Sequence, residues 1–414
     1  MAGLGAALIL GAISTIAEFL PERSIKNDFA FAYISGRILR QGGNPYTTNL
    51  MKYNSTEKLP FRANMGPATN PPLLLWSYQV LPLFRPATAF ALWVTIEVLS
   101  VLVILLTSSR LVNTHWSCAG WLLAIGLTLY STPMFHHFWY SQVQLPIVAL
   151  LMTGFWLWRR GRATGACSFF VLGGVLKLYG LTCAPFPILA ASARTRFSMM
   201  ARSLIFLLFC LCLPREEIWI SFFRNVVPYM GQFRGGRFFS YTLVSFINGL
   251  VAAPYEFSPP ALIARVTSLL AFGCVATLLI YTWAVCTLLH KANDTETANA
   301  CFSLLLIATV LCSPVAWSHY LVFLIFPMIC LAAEAKAATG WTRIQIGILL
   351  VLNLVAINLA GSNVFPRATG LLRHLGGSAP TFGMALLYYH FVKQIRQSAR
   401  TARVSPPVGL GTYI

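Results

Sequence analysis

Apolar residues fall in long runs separated by short polar segments. Two of them, Ala87 to Thr107 and Ala261 to Leu289, reach the roughly 20 residues needed to cross a hydrocarbon layer of about 30 Å. Further spans are predicted at Ala2 to Leu20, Cys118 to Thr132, Leu145 to Trp158, Ser203 to Leu213, Ala300 to Leu311, Tyr320 to Ala335, Ile344 to Ala360 and Ala379 to Phe391, with an interfacial or re-entrant piece at Pro71 to Phe84. Ala163 to Ala193 breaks this pattern, because Lys177, Tyr179 and Gly180 interrupt its middle and leave halves of about 13 residues, short for a span. It reads as a re-entrant hairpin of two half-helices with Lys177 near the apex. Irregular backbone at such depth is tolerated only beside protein or a wet cavity. The expected fold is all-α, a polytopic transmembrane helical bundle of about 12 membrane helices, counting the hairpin as two.

Composition agrees, since only 10% of the 414 residues are charged and 57% are hydrophobic, against roughly 25% charged in a soluble domain. The net charge of +19 would suggest a nucleic-acid partner in a soluble protein. Here the basic residues sit between apolar runs, as Arg159, Arg160 and Arg162, as Arg194, Arg196 and Arg202, and as Lys393, Arg396, Arg400 and Arg403. That is the positive-inside pattern of a multi-pass membrane protein, and no nucleic-acid partner is expected.

Anchoring those clusters in the cytosol puts the N-terminus inside and leaves two outside loops, about 21–70 and 214–260, the second carrying Arg224, Arg234 and Arg237. Arg367 and Arg373 fall outside against the rule. Ala2 to Leu20 lacks a preceding basic region and a good cleavage site, so it reads as a retained helix. Residues 1–392 form one transmembrane domain, and 393–414 read as a disordered basic cytosolic tail. The ten cysteines lie mostly inside apolar runs without CxxC spacing and read as small packing residues.

Candidate chemistry lies on the outer side of this topology. The chain has only two aspartates, Asp28 in the first outside loop and Asp294 in a cytosolic loop. Asp28 opens a short amphipathic helix that Gly42-Gly43 closes. A carboxylate there can act as general base for a sugar hydroxyl, or it can simply cap its helix. Glu22, Glu57, Glu216, Glu217 and Glu256 are competing outside carboxylates. Arg37, one helical face away from Asp28 and Tyr33, is a candidate phosphate ligand.

Lys177 is a second phosphate candidate, because an ionisable side chain at membrane depth is costly; snorkelling to an interface is the alternative. His319, at a membrane boundary between helices, can donate hydrogen bonds to a phosphate or orient a sugar. Its neighbour Trp317 can stack on a sugar or belong to the interfacial aromatic belt. Gln142 and Gln144 supply amides suited to sugar hydroxyls. His136 and His137 are adjacent and need not converge on one ion, so no metal site is expected.

Several of these pieces together resemble glycosyltransferase family 87, a membrane group of GT-C type. They are Asp28 with Tyr33, Gly43 and Asn44-Pro45-Tyr46; Asn70-Pro71-Pro72-Leu73; Ser141-Gln142-Val143-Gln144; Lys177-Leu178-Tyr179; and Ser313 to Tyr320. The resemblance implies a GT-C bundle that inverts configuration while moving a sugar, mannose first among candidates, from a polyprenyl-phosphate donor to an outer-face glycolipid or glycan. It implies Asp28 as catalytic base, His319 as its partner in catalysis, and no cofactor. Tyr33, Tyr46, Gln142 and Trp317 are the expected substrate contacts and Lys177 and Arg37 the donor-phosphate ligands. The expected location is the plasma (inner) membrane, with the active site on the non-cytosolic face. The sequence departs from the pattern at Ser141, where glycine is usual, at Gln144, where asparagine is common, and at Tyr179-Gly180, which replaces a frequent proline. A non-catalytic membrane carrier or lipid transporter is the competing class.

Overall fold

The computed structural model describes residues 1–23, 28–62, 68–112, 116–228, 240–255, 259–289, 294–362 and 369–404. The side chains of Glu22 and Arg403, the residues Arg234, Arg237, Glu256 and Arg367, and the last ten residues of the expected tail lie outside the description.

The described residues are helical, with no strand among them. Helix α1 (Ala2–Arg23) is followed by α2 (Asp28–Arg40), α3 (Leu50–Thr56) and α4 (Pro72–Ser77), then by α5 (Pro86–Leu111), α6 (Cys118–Leu129), α7 (Thr132–Tyr140) and α8 (Gln144–Arg159). Helix α9 (Ala163–Leu176) leads through α10 (Phe186–Leu189) to α11 (Ala193–Cys212) and α12 (Glu216–Ser221). The remainder comprises α13 (Leu243–Ala252), α14 (Ala261–Cys286), α15 (Thr295–Leu311), α16 (Ile325–Ala337), α17 (Gly340–Asn358), α18 (Gly370–Gly377) and α19 (Ala379–Val404).

Five helical stretches are long and apolar enough to cross a membrane: α5, α11, α14, Ser318–Ala337 and α17. A sixth arises if α6 and α7, bent by 54° at their junction, form one broken span. Five further apolar helices among the described residues, α9 and α15 included, are shorter. The chain is thus membrane-embedded and all-helical.

Two boundaries differ from the sequence reading. Helix α11 starts at Ala193 rather than Ser203, so Arg194, Arg196 and Arg202 ride on its first turns. Helix α19 continues to Val404, so Lys393, Arg396 and Arg400 belong to a helix and not to a disordered tail. Favourable helix formers such as Gln394, Gln397 and Ala399 carry it onward once the apolar run ends.

Helix α15 is the axis of the bundle, with every residue from Thr297 to Leu311 buried. Apolar residues occupy most of every face, as in a helix surrounded by protein, and the buried Asn299 donates its side-chain amide to Leu111 O at 3.0 Å. In lipid no hydrophobic force drives helices together, so close packing carries their association. Phe302 supplies much of it, stacked on Phe155 at 4.3 Å with Phe186 and Phe326 meeting it at 6.0 and 5.6 Å. Removing a ring of this kind costs about 3–5 kcal/mol.

The basic clusters gather at one end of this axis. Arg110, closing α5, and Arg160, just beyond α8, both lie over the Trp156 ring, at 5.9 and 5.0 Å. Arg159 donates to Thr295 Oγ1 at 2.5 Å. The opposite end of α15 stops at Ser313-Pro314, where proline ends the helix. There Ser313 Oγ donates to Val315 O at 2.7 Å, and Tyr241 N donates to Ala316 O at 2.7 Å.

Candidate active site

Four chain segments meet beyond the Pro314 end of α15. The first is α2, whose buried face includes Phe29, Ala30, Tyr33, Ile34, Gly36 and Ile38. Gly36 lets it lie directly on the tight turns of Tyr78–Leu83, since a Cβ at this position would come within 2.2 Å of Tyr78 O. Gly42, at φ +80°, releases the chain from the helix end. Asp28 is thereby held at the N-terminal end of a firmly packed helix.

The second segment is the turn between α7 and α8. Ser141 takes a left-handed conformation, φ 50° and ψ 56°, a strained choice for a residue with a side chain. The requirement for positive φ explains why glycine would be usual at this position. The turn delivers Gln142, whose amide nitrogen donates to Asp28 Oδ2. Gln144 Nε2 in turn donates to Gln142 Oε1 at 3.3 Å.

The third is the break in the predicted hairpin. Helix α9 ends at Leu176, Lys177 is extended (φ −139°, ψ 115°), and tight turns run from Leu178 to Thr182 before α10. Gly180 packs so closely beneath α9 that a Cβ there would approach Gly173 O to 2.6 Å. Trp283 Nε1 of α14 ties the turn down, donating to Thr182 O at 3.0 Å. The last segment is Ser318–Leu324, which sets His319 and Tyr320 side by side, their rings 4.9 Å apart.

These segments bring Asp28, Gln142, Lys177, His319 and Tyr320 together, and the charges of Lys177 and Asp28 act on one another. Burial raises the Asp28 carboxyl from 3.8 to about 6, with Lys177 pulling the other way. His319 is buried, lies within the electrostatic reach of Lys177, and has no hydrogen-bond partner at either ring nitrogen among the described residues. Buried polar atoms are normally satisfied, so two open nitrogens mark a place for a ligand. A cleft of about 390 Å³ adjoins the group, lined by Lys177, Tyr179, Ser313 and Tyr320 and closed on one side by the apolar Leu279 and Trp283 of α14. A polar head with an apolar wall suits an amphiphile whose anionic group meets Lys177.

The other expected residues have partners of their own. Arg37 sits far along α2 from Asp28 and is bonded to Glu57 Oε2 at 2.8 Å, both groups partly exposed. Tyr33 packs in the aromatic core against Phe61 at 5.3 Å and donates its hydroxyl to Phe84 O at 3.0 Å. Tyr46 is buried against Phe222, a residue of the cleft wall, and donates to Asn70 O at 2.5 Å. Trp317 is 41% exposed, with its ring edge-on to His319 at 5.7 Å. Of the competing carboxylates, Glu57 is held by Arg37 and Glu217 by Arg215 at 2.9 Å. His136 Nδ1 bonds Ser318 Oγ at 2.6 Å. No group of three metal-ligating side chains occurs among the described residues.

Glu97, a lone carboxylate inside the apolar run Ala87 to Thr107, was not among the expected residues, although charge at that depth was the available signal. Glu97 is 3.5 Å from His137 Nε2, and His137 in turn acts electrostatically on His319.

No curated protein matches the chain. The model of glycosyltransferase family 87 matches residues 68–314, more than half of the sequence. The matched stretch holds Asn70-Pro71-Pro72, Gln142, Lys177 and the Ser313-Pro314 turn, while Asp28 and His319 flank it on either side. A family match of this extent, on a membrane-embedded helical chain, establishes that the protein belongs to glycosyltransferase family 87 and is a membrane glycosyltransferase.

Proposed function

We propose that this enzyme transfers a hexose, mannose first among candidates, from a polyprenyl-phosphate donor to a glycolipid or glycan acceptor at the non-cytosolic face of the plasma membrane, within a GT-C bundle. The basic clusters at the far end of α15 support a cytosolic assignment for that end, which leaves the Asp28 end facing outward. Asp28 takes the proton of an acceptor hydroxyl as its oxygen bonds to the anomeric carbon. The bond from that carbon to the phosphate oxygen breaks in the same displacement, which inverts the centre, and polyprenyl phosphate leaves with the electron pair. Lys177 and the open nitrogens of His319 meet the charge that develops there. Gln142 keeps the Asp28 carboxylate aimed. Arg37 braces the first loop through Glu57, and Trp317 offers a stacking face at the mouth.

The observation that carries the proposal is the meeting of one carboxylate, one ammonium and one unpartnered imidazole beside a cleft with an apolar wall. Reconstituted enzyme given labelled polyprenyl-phosphate mannose should transfer label only when a membrane glycan acceptor is present, and Asp28→Asn should abolish transfer at unchanged expression. Wild-type turnover in the Asn variant would remove Asp28 as the base.

A further inference from the structure

A groove of about 250 Å³ lies between α6, α16 and α17 and shares no lining residue with the cleft of Lys177. Its wall on α6 is the face of Gly120, Ala124 and Thr128, and on α17 that of Leu350, Leu354 and Asn358. Each face is roughly 12 Å long. No charged side chain is among the described residues that line the groove, and its hydroxyl and amide side chains, Thr128, Ser131 and Asn358, gather at one end. That end is fastened to α7, where Thr132 N and Oγ1 donate to Asn358 Oδ1 and O, both at 2.9 Å.

From this polar mouth α7 leads to the active site. Thr132 and Tyr140, its first and last residues, stand roughly 12 Å apart, and Gln142, which holds Asp28, follows. On the way His136 Nδ1 bonds Ser318 Oγ at 2.6 Å. One turn on, the Tyr140 ring lies 6.0 Å from that of His136 and 5.8 Å from that of His319. Trp317 flanks the same His319 ring at 5.7 Å. Tyr140 and Trp317 are 40% and 41% exposed, and neither lines the cleft of Lys177. An apolar groove with a polar mouth thus continues into two open aromatic faces beside His319.

We propose that the acceptor is a glycolipid whose hydrocarbon chain lies in the groove of α6, α16 and α17, and whose sugar head runs along α7 over Tyr140 and Trp317 to Asp28. The inference rests on the transferase reading above and narrows its acceptor class. The groove offers no cation to a phosphate, whereas the donor cleft has Lys177. Displacement with inversion brings the acceptor oxygen in opposite the leaving phosphate. The segment Ser318–Leu324 stands between the two clefts, giving Tyr320 to one and Leu321, Val322 and Leu324 to the other. Because α7 sets roughly 12 Å between the mouth and the site, the head carries more than one sugar.

The test uses purified full-length enzyme in nanodiscs, labelled polyprenyl-phosphate mannose, and either hexadecyl or methyl mannobioside as acceptor. Ala124→Phe and, from another wall, Ala332→Phe fill the groove; each should raise hexadecyl-acceptor KM about tenfold and leave methyl-acceptor and donor KM within about threefold. Transfer to the methyl acceptor also shows that each variant is folded. Tyr140→Ala and Trp317→Ala should raise KM about tenfold for both acceptors, with donor KM unchanged. A hexadecyl KM that rises no more than the methyl KM in both groove variants would overturn the chain site. Unchanged acceptor KM in both aromatic variants would make these rings membrane-surface anchors and overturn the sugar path. A hexadecyl mannobioside with a photoreactive chain end gives a readout without turnover, and its label should fall on residues 120–134 and 350–358. The same pattern from a photoreactive phosphatidylcholine would show lipid filling only and overturn the proposal. Failure of the wild type to transfer to either acceptor would instead defeat the transferase reading, and the labelling would still decide whether the groove selects a glycolipid chain.

Discussion

The two aspartates of this chain sit at opposite ends of α15 and illustrate two uses of the same side chain. Asp294 is the N-cap of α15, with its carboxylate accepting from Thr297 N at 2.7 Å and from Thr297 Oγ1 at 2.6 Å. Both oxygens are committed to the helix three residues away. Asp28 instead takes its bond from Gln142, 114 positions along the chain, and shares its surroundings with Lys177. A carboxylate satisfied by its own helix end is structural; one held by distant segments beside a cleft remains available to a ligand. The same contrast separates Glu334, bonded to His390 Nε2 at 2.8 Å at the Asp294 end, from His319 with its two open nitrogens.

The largest effect should come from Asp28→Asn, a loss of about 10²–10⁴ in kcat measured by label transfer, whereas Asp294→Asn should leave turnover intact because asparagine caps equally well. If both variants lost activity alike, the comparison would fail. Next comes Lys177→Gln, which should raise donor KM by about 10- to 100-fold through loss of a charged hydrogen bond of about 1.5–3 kcal/mol. The matched Arg37→Gln should change donor KM less than about threefold, since Arg37 is partly exposed and engaged with Glu57. A larger effect of Arg37 than of Lys177 would move the phosphate site to the first loop.

A pH profile sharpens the Asp28 half further. The ionised carboxylate is the working base, and its value lies near 6, so kcat/KM should fall by about tenfold per unit as pH drops below about 6 and level off above it. A profile flat down to pH 4.5 would show that another group accepts the proton. The smallest effect belongs to Asp294→Ala, which should lower stability by about 0.5–2 kcal/mol in a denaturation experiment while folded molecules turn over normally.

Membrane residence and the helix break at Lys177 were legible in the sequence, as were Asp28, Gln142 and His319 as candidates, which the structure brings together. They depend on local features: run length, a charge or glycine within an apolar segment, and residue types at loop positions. The fates of Arg37 and Tyr33 were not legible. Sequence places them on α2 with Asp28, but only packing shows that Tyr33 turns into the Phe61 core and Arg37 toward Glu57. Ser141 is a mixed case, since its departure from the glycine usual there was visible but its left-handed backbone was not.

Glu97 marks the boundary most clearly. The sequence carries the signal that a carboxylate lies at membrane depth, in the length and apolarity of the flanking run, although Glu97 was not among the expected site residues. Only the tertiary structure decided that it accepts from Trp93 and lies 3.5 Å from His137 of another helix. Composition and periodicity set what a segment must bury, whereas the partner of each polar group depends on which helices become neighbours, and that follows from close packing of the whole bundle.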